Sequence, residues 1–302
     1  MELSVVVPTL NSRDQLAASL DALAAAAPDA EVVVVNGPSA DGTTGMVRDR
    51  DDVDVLVEVS ARTLNVARNA GIEVASGDAI AFVGHDLLVE ETWRDAVLDG
   101  LADAEAVTGP THRTLRAGMT TETPEQRRIH DREVTYFSGG NVAFRAETLS
   151  KLDGFDEYLE TGGARDAAHR LAGFGGSVSW HPKACVRREY ETEADGGTDR
   201  RDYYWKYRAL AYRLVKNYGL RPTTVRRTLS HASSDAYAAA RDVGSGEATP
   251  TRWVGNGRDV VVGISMGTSD GLVARARDRS ATRNPHGVSK RADRAVARYD
   301  WR

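Results

Sequence analysis

The chain has 302 residues, 41% of them hydrophobic and 27% charged, and a single cysteine. That composition excludes a mainly disordered chain, a disulfide framework and a four-cysteine zinc site. The formal net charge of −5 hides an asymmetry, because residues 199–302 carry 21 Lys and Arg against 10 Asp and Glu, while residues 1–198 carry 18 against 34.

Taken in chain order, the first half alternates two periodicities. Leu3–Val7 is an apolar run ended by Pro8, the pattern of a buried strand. Ser12–Ala27 repeats apolar residues at helical spacing (Leu16, Leu20, Leu23, Ala27), with Ser12 placed to cap it. Glu31–Val35 is a second strand, stopped by the turn signal Asn36-Gly37-Pro38. A short helix over Asp41–Arg50, a strand over Val53–Val59, a helix over Thr63–Ala75 and a strand over Ala79–Val83 follow. A helix over Glu90–Leu101 and a strand over Ala104–Gly109 continue the series. Such alternation predicts right-handed βαβ units and a mostly parallel sheet flanked by helices.

Arg113–Val134 is polar and reads as loop. Asn141–Arg145 is a strand, Ala146–Lys151 and Arg165–Gly173 are helices, and Ser177–Trp180 and Ala184–Arg188 are strands. Beyond residue 198 the strand pattern stops. Tyr203, Tyr207, Leu210, Leu214 and Tyr218 fall on one helical face, and Gly219 sits where a C-terminal glycine would end that helix. A second helix runs over Arg221–Val243, broken by Gly244-Ser245-Gly246. The rest is a weaker helical pattern interrupted by Asn284-Pro285-His286-Gly287. The predicted organisation is an α/β domain over 1–198 and a basic, mainly helical region over 199–302. No run reaches the roughly 18 apolar residues of a membrane-spanning helix. Met1-Glu2-Leu3-Ser4 leads straight into a strand without the features of a secretory leader, so a cytoplasmic location is expected.

In an open α/β sheet, ligands bind beyond the carboxyl ends of the strands. The residues there are Pro8, Thr9 and Asn11 after the first strand, and Asn36, Ser39 and Asp41 after the second. Arg68 and Asn69 lie at the start of the helix over Thr63–Ala75, and Gly84-His85-Asp86 follows the fourth strand. A guanidinium such as Arg68 suits a diphosphate. A carboxylate such as Asp86 suits a divalent cation that bridges one. Together they describe a nucleoside-diphosphate site. No glycine occurs in Pro8-Thr9-Leu10-Asn11-Ser12, which argues against the glycine-rich fingerprint of a dinucleotide-dependent oxidoreductase.

These segments resemble the family-2 glycosyltransferases of the GT-A fold. Residues 3–11 match the opening strand and loop, and residues 32–43 match V-D-x-x-S-x-D-G-T. Residues 64–86 match A-R-N-x-G-x-x-x-A-x-G-D-x-I-x-F-x-D-x-D. Tyr136-Phe137-Ser138-Gly139-Gly140-Asn141-Val142-Ala143-Phe144-Arg145 matches the acceptor-side G-x-N-x-A-x-R, and Leu152-Asp153-Gly154-Phe155-Asp156-Glu157 matches G-G-F-D-E. The resemblance covers about residues 1–190. It implies a Rossmann-like mixed sheet, a nucleotide-sugar donor, Mg2+ or Mn2+, and a single inverting displacement at the anomeric carbon. A carboxylate then serves as base toward the acceptor hydroxyl.

The match departs from the family at three places. Asn36 stands where the family has a base-contacting Asp. The D-x-D is Gly84-His85-Asp86, leaving Asp86 as metal carboxylate, with His85 either a ligand or an orienter of Asp86. Aligned on the acceptor-side Arg170, the usual base position is Ala164. Asp166 is then the candidate base or, equally, a helix cap, with Glu160 and Asp156 as further candidates. The tail, with Asp202–Arg208 and Arg283–Gly287, resembles archaeal enzymes that build N-linked glycans on dolichol phosphate. That resemblance implies a lipid-linked saccharide acceptor and a peripheral position on the inner face of an anionic membrane. No nucleic-acid module is recognisable. The second functional reading is a non-catalytic subunit that binds a nucleotide sugar without consuming it.

Overall fold

The computed structural model describes residues 1–113, 123–188, 203–245, 250–279 and 284–302. Its first half runs β1 (Leu3–Thr9), α1 (Arg13–Ala26), β2 (Glu31–Asn36), α2 (Thr43–Arg48), β3 (Val55–Val59), α3 (Leu64–Val74), β4 (Ala79–Val83), β5 (Leu88–Val89), α4 (Trp93–Asp103), β6 (Ala106–Thr108) and β7 (Thr111–Arg113). The second half runs β8 (Gln126–Ile129), β9 (Arg132–Thr135), β10 (Asn141–Arg145), α5 (Ala146–Leu152), α6 (Gly163–Gly173), β11 (Val178–Trp180), β12 (Val186–Arg188), α7 (Tyr203–Tyr218), α8 (Pro222–Gly244), α9 (Pro250–Asp278) and β13 (Ala295–Asp300).

Eight strands form one sheet in the order β11-β6-β10-β4-β1-β2-β3-β13. The centre, β4-β1-β2-β3, is parallel, and β10 enters antiparallel between β4 and β6. Alternation along β1 explains why the sheet is covered on both faces. Val5 and Val7 pack with Leu16, Leu20 and Leu23 of α1 and Trp93 and Val97 of α4. Val6 points the other way, among Ala67 and Ala70 of α3, Leu149 of α5 and Leu171 of α6. Helix α3 lies so close to β1 that a Cβ at Gly71 would stand 2.3 Å from Val6 Cγ1.

Three parts of the chain differ from the sequence expectation. The loop expected over Arg113–Val134 contains the hairpin β8–β9, paired from Gln126↔Thr135 to Ile129↔Arg132. Residues 114–122 of that loop lie outside the described residues, as do Asp202, Gly246 and Arg283 of the motifs above. The strand pattern does not stop at 198, because β13 pairs antiparallel with β3 and forms an edge of the main sheet.

The third difference is that the region after 198 does not stand apart. Helix α7 is buried along most of its length, and its Tyr212, Lys216 and Asn217 reach Asp156 and Asp166 of the α/β part. Helix α9 packs on α7 through a stripe of glycines. Cβ atoms at Gly263, Gly267 and Gly271 would stand 2.5, 2.2 and 2.8 Å from the carbonyl oxygens of Tyr204, Arg208 and Tyr212. No described helix is long and apolar enough to cross a membrane.

Candidate active site

The parallel register keeps the carboxyl ends of the central strands level, with Thr9 opposite Asn36 and Val35 opposite Val57. The loops that follow tie to one another by short polar contacts. The Asn11 amide donates to Ser39 Oγ at 2.8 Å, and the Ala40 amide to Asn11 Oδ1 at 2.8 Å. Ser39 Oγ donates to Asn36 Oδ1 at 2.7 Å, Asn36 Nδ2 to Thr44 Oγ1 at 2.9 Å, and Thr44 Oγ1 to Glu58 Oε1 at 2.8 Å. Asn36 is therefore buried with both ends of its amide engaged. It positions Ser39 and the loop, and does not project into the cleft as a free base-reading group. Asp41 accepts from the amides of Arg13 and Thr43. Slight desolvation is outweighed by the Thr43 hydroxyl and these amides, which hold its carboxyl below the usual carboxylate range.

A narrow cleft opens beside this network, lined by Pro8, Thr9, Leu10, Gly37, Ala61–Leu64, Ala67 and His85. Thr9 Oγ1 is buried there without a hydrogen-bond partner. His85 Nδ1 lies 3.3 Å from the Pro8 carbonyl oxygen, which ties the turn after β4 to the end of β1. Asp86 is mostly buried, and its Oδ2 lies 2.8 Å from Nε of Arg188 on β12. A Cβ at Gly84 would stand 3.0 Å from Asp86 Oδ1, so this turn leaves little room for the first carboxylate of a D-x-D.

Arg68 and Asn69 are brought to the same edge but face inward. Arg68 donates to the Gly139 carbonyl at 2.7 Å and to Asn65 Oδ1 at 3.1 Å, and its guanidinium lies 5.1 Å from the centre of the Phe155 ring. Burial pulls its pKa down to about 10, so it stays charged at neutral pH. Where a grip on a diphosphate is expected, its two Nη groups brace Asn65 and the Ser138–Gly140 turn, and its Nε is buried without a partner. Asn69 is buried too, bonded to the Phe155 backbone and to Glu157. It ties α3 to the Gly154–Glu157 loop and offers nothing to a donor.

The acceptor-side residues divide in the same way. Gly140 adjoins the Gly84 turn, its carbonyl accepting from the Gly84 amide at 3.0 Å. Asn141 is buried, accepting from Trp93 Nε1 at 3.0 Å and donating to the Ala184 carbonyl at 2.9 Å. Arg170 is buried among the carbonyls of Leu152 and Gly154 and the carboxylate of Asp166.

Asp166 is enclosed with Arg170 at 2.8 Å, Lys216 Nζ at 3.0 Å and Asn217 Nδ2 at 2.8 Å. Burial alone would raise its carboxyl, but Lys216 and Arg170 outweigh that and hold it well below the usual carboxylate range. A fully buried carboxylate held ionised at neutral pH by two cations is a counter-ion, not an accessible base. It does not cap its helix either, since no side-chain cap is formed there. Asp156 is buried as well, bonded to Tyr212 and Lys216. Among the three carboxylates considered, Glu160 alone is exposed. Ala164 presents its methyl toward the Gly139 turn, 3.1 Å from where a Cβ on Gly139 would stand.

Two residues escaped the sequence reading. Arg62, exposed at the cleft, follows the third strand directly, where the rule of strand ends should have placed it. Arg188 gave no local signal, since only folding brings it to Asp86, about a hundred residues away in the chain.

Comparisons with known proteins bear on the family and the fold. Residues 4–153 match the model of glycosyl transferase family 2. The pre-mycofactocin glycosyltransferase of Mycobacterium tuberculosis is 22% identical over 223 residues, 67% of this chain and 46% of its own. The glycosyltransferase AglE of Haloferax volcanii is 26% identical over 203 residues, 59% of this chain and 66% of its own. The chain thus spans about half the length of the mycobacterial relative. Among solved structures, the mannosyltransferase PcManGT of Pyrobaculum calidifontis, in complex with GDP-Man and Mn2+, superposes with a TM-score of 0.55 at 19% identity, covering 92% of this chain and 88% of that one. S. aureus TarS 1–349 in complex with UDP superposes with a TM-score of 0.60 at 18% identity, covering 92% and 86%. The chain therefore carries a glycosyl transferase family 2 domain, built on the GT-A fold.

Proposed function

We propose that the protein transfers a hexose or hexuronic acid, with inversion, from a nucleoside-diphosphate sugar to a lipid-linked saccharide. The observation that carries this reading is the cleft at the carboxyl ends of β1, β2 and β3, with the Asp86–Arg188 pair beside it. In this reading the cleft takes the nucleoside, with the unpartnered Thr9 hydroxyl as one hydrogen-bonding group. Arg188 and Arg62 face the diphosphate, since guanidinium donors match phosphate oxygens. Asp86 supplies one oxygen ligand suited to Mg2+ or Mn2+. It fits such a cation once Arg188 turns from the carboxylate to the phosphates. A bound cation would offset the charge that develops on the departing diphosphate. The titles of solved relatives add weight, since PcManGT carries GDP-Man and Mn2+ and a TarS structure carries UDP-GlcNAc.

Glu160 is the candidate base. It is exposed and precedes α6, whereas Asp156 and Asp166 are locked in ion pairs. The acceptor hydroxyl oxygen attacks the anomeric carbon, the bond from that carbon to the diphosphate oxygen breaks, and the hydroxyl proton passes to Glu160. A lipid-linked acceptor is supported by the likeness to AglE and by the exposed face of α8. There Leu220, Val225 and Leu229 lie beside Arg221 and Arg226. Apolar residues rimmed by arginines suit an anionic membrane surface, on which the protein would sit peripherally from the cytoplasmic side.

The test is turnover. Purified protein is incubated with UDP-, GDP- and dTDP-sugars, Mg2+ or Mn2+, and a polyprenyl-phosphate-linked saccharide extract. Released nucleotide and product mass are then measured. One donor should be consumed in a metal-dependent way. Glu160→Gln should lower kcat by about 100-fold or more while leaving the donor KM near its starting value. Asp86→Ala should abolish transfer. Donor binding without turnover across the panel would favour a non-catalytic binding subunit, a reading favoured by Gly84 and Ala164 standing where carboxylates are expected.

A further inference from the structure

Behind the Asp86 turn, three short strands form a separate sheet in the order β5-β12-β7. Each contributes one metal-ligating side chain to the same small cluster. Glu90 directly follows β5, His112 is the middle residue of β7, and Cys185 directly precedes β12. The backbone sets Glu90 beside Cys185, its amide bonded to the Cys185 carbonyl at 3.2 Å, and places His112 opposite Arg187, two residues further along the same strand. Cys185 Sγ lies 3.4 Å from His112 Nδ1, His112 Nδ1 lies 3.8 Å from Glu90 Oε1, and the ligand atoms all fall within 4.8 Å of one another. Tetrahedral coordination at ordinary zinc bond lengths places neighbouring ligand atoms about 3.4–3.6 Å apart, so the side chains need to move only slightly to close on an ion.

From this arrangement we infer that Glu90, His112 and Cys185 form a binding site for a zinc-type divalent cation, separate from the donor site. A mixed sulfur, nitrogen and oxygen donor set selects a borderline-soft ion over Mg2+ or Mn2+, which prefer oxygen. A thiolate and a carboxylate cancel the charge of a dication, and the imidazole binds neutral. Burial and the Glu90 carboxylate otherwise push the Cys185 thiol up to about 12, so it stays protonated without a cation. Cys185 is buried, whereas the His112 and Glu90 side chains are 43% and 44% exposed. The ion would therefore enter from the solvent side and keep its fourth position there. Bound, it would fasten together the strand carrying Arg188 and the strand that leaves the Asp86 turn.

Because the chain has one cysteine, every thiol signal reports Cys185. The experiment uses the full chain, stripped with chelator and titrated with Co2+ and then Zn2+. One equivalent of Co2+ should produce a sulfur-to-cobalt charge-transfer band that Zn2+ removes and excess Mg2+ does not. Zn2+ should also slow alkylation of Cys185. The band should persist in Asp86→Ala and be lost in Cys185→Ser. The exposed His112→Asn provides the same test should the buried substitution impair folding. Absence of the band at stoichiometric Co2+, an equal band in His112→Asn, or alkylation unaffected by Zn2+ would overturn the site and leave a hydrogen-bonded triad only.

Discussion

Asp166 has become a structural counter-ion to two cations from different parts of the chain, Arg170 on its own helix and Lys216 on α7. Removing the charge by Asp166→Asn leaves Lys216 with Asp156 and Arg170 with the Leu152 and Gly154 carbonyls. It should destabilise the protein by about 3–5 kcal/mol at neutral pH, read from denaturant midpoints. Its folded pKa is depressed, so this stabilisation is present above the unfolded value of about 3.9 and fades as pH falls below it. The difference between Asp166→Asn and the parent should therefore shrink in acid. His169 acts at a higher pH. It is buried between Tyr136 and Tyr218, its Nδ1 2.8 Å from the Tyr218 hydroxyl. Burial and the nearby Arg213 hold it neutral, well below its ordinary value. The unfolded chain takes up a proton below about 6.5 that the folded chain refuses, so stability should fall from pH 7 toward pH 5 by up to about 1.4 kcal/mol per unit. His169→Gln should remove that slope in a series of melts across this range.

At the scale of elements, the close approach of α7 and α9 rests on glycines at every fourth position. Gly267 is the tightest point, where even a methyl group would collide with the Arg208 backbone. Gly267→Val should separate the helices and cost about 1–3 kcal/mol or more, visible as a lowered Tm. That spacing stands in the sequence, yet apolar periodicity alone made this helix look weak, because its contact surface is backbone. The parallel βαβ core was legible for the opposite reason: apolar runs in β1, β2 and β4 are continuous and end at Pro8, Asn36 and Gly84. The candidate site was legible only in part. The residues after the strand ends do gather at one edge of the sheet, but Arg68, Asn69 and Asn141 are buried there and bonded inward, since a motif does not reveal which way a polar side chain turns. The hairpin β8–β9 was hidden because three of the four β8 residues are exposed and polar.

At the scale of the whole molecule, the charge asymmetry has an internal use. Lys216 pairs with Asp156 and Asp166, Arg294 with Glu73 and Glu157, and Arg302 with Glu31, so part of the basic surplus of the tail neutralises the acidic first half. A fragment of residues 1–198 would leave Asp156 and Asp166 without Lys216 and expose the surface under α7. It should show no cooperative melt, whereas the full chain should, as followed by near-UV circular dichroism. The strand β13 has a consequence for biosynthesis. Its partner β3 is made more than two hundred residues before the strand that covers it, which leaves the ribosome roughly tens of seconds later at usual elongation rates. Throughout that interval Val55–Val59 presents an open, apolar strand edge to other nascent chains. Yield in the cell should therefore depend on chaperones that shield this edge until β13 emerges, even though the folded protein keeps it paired.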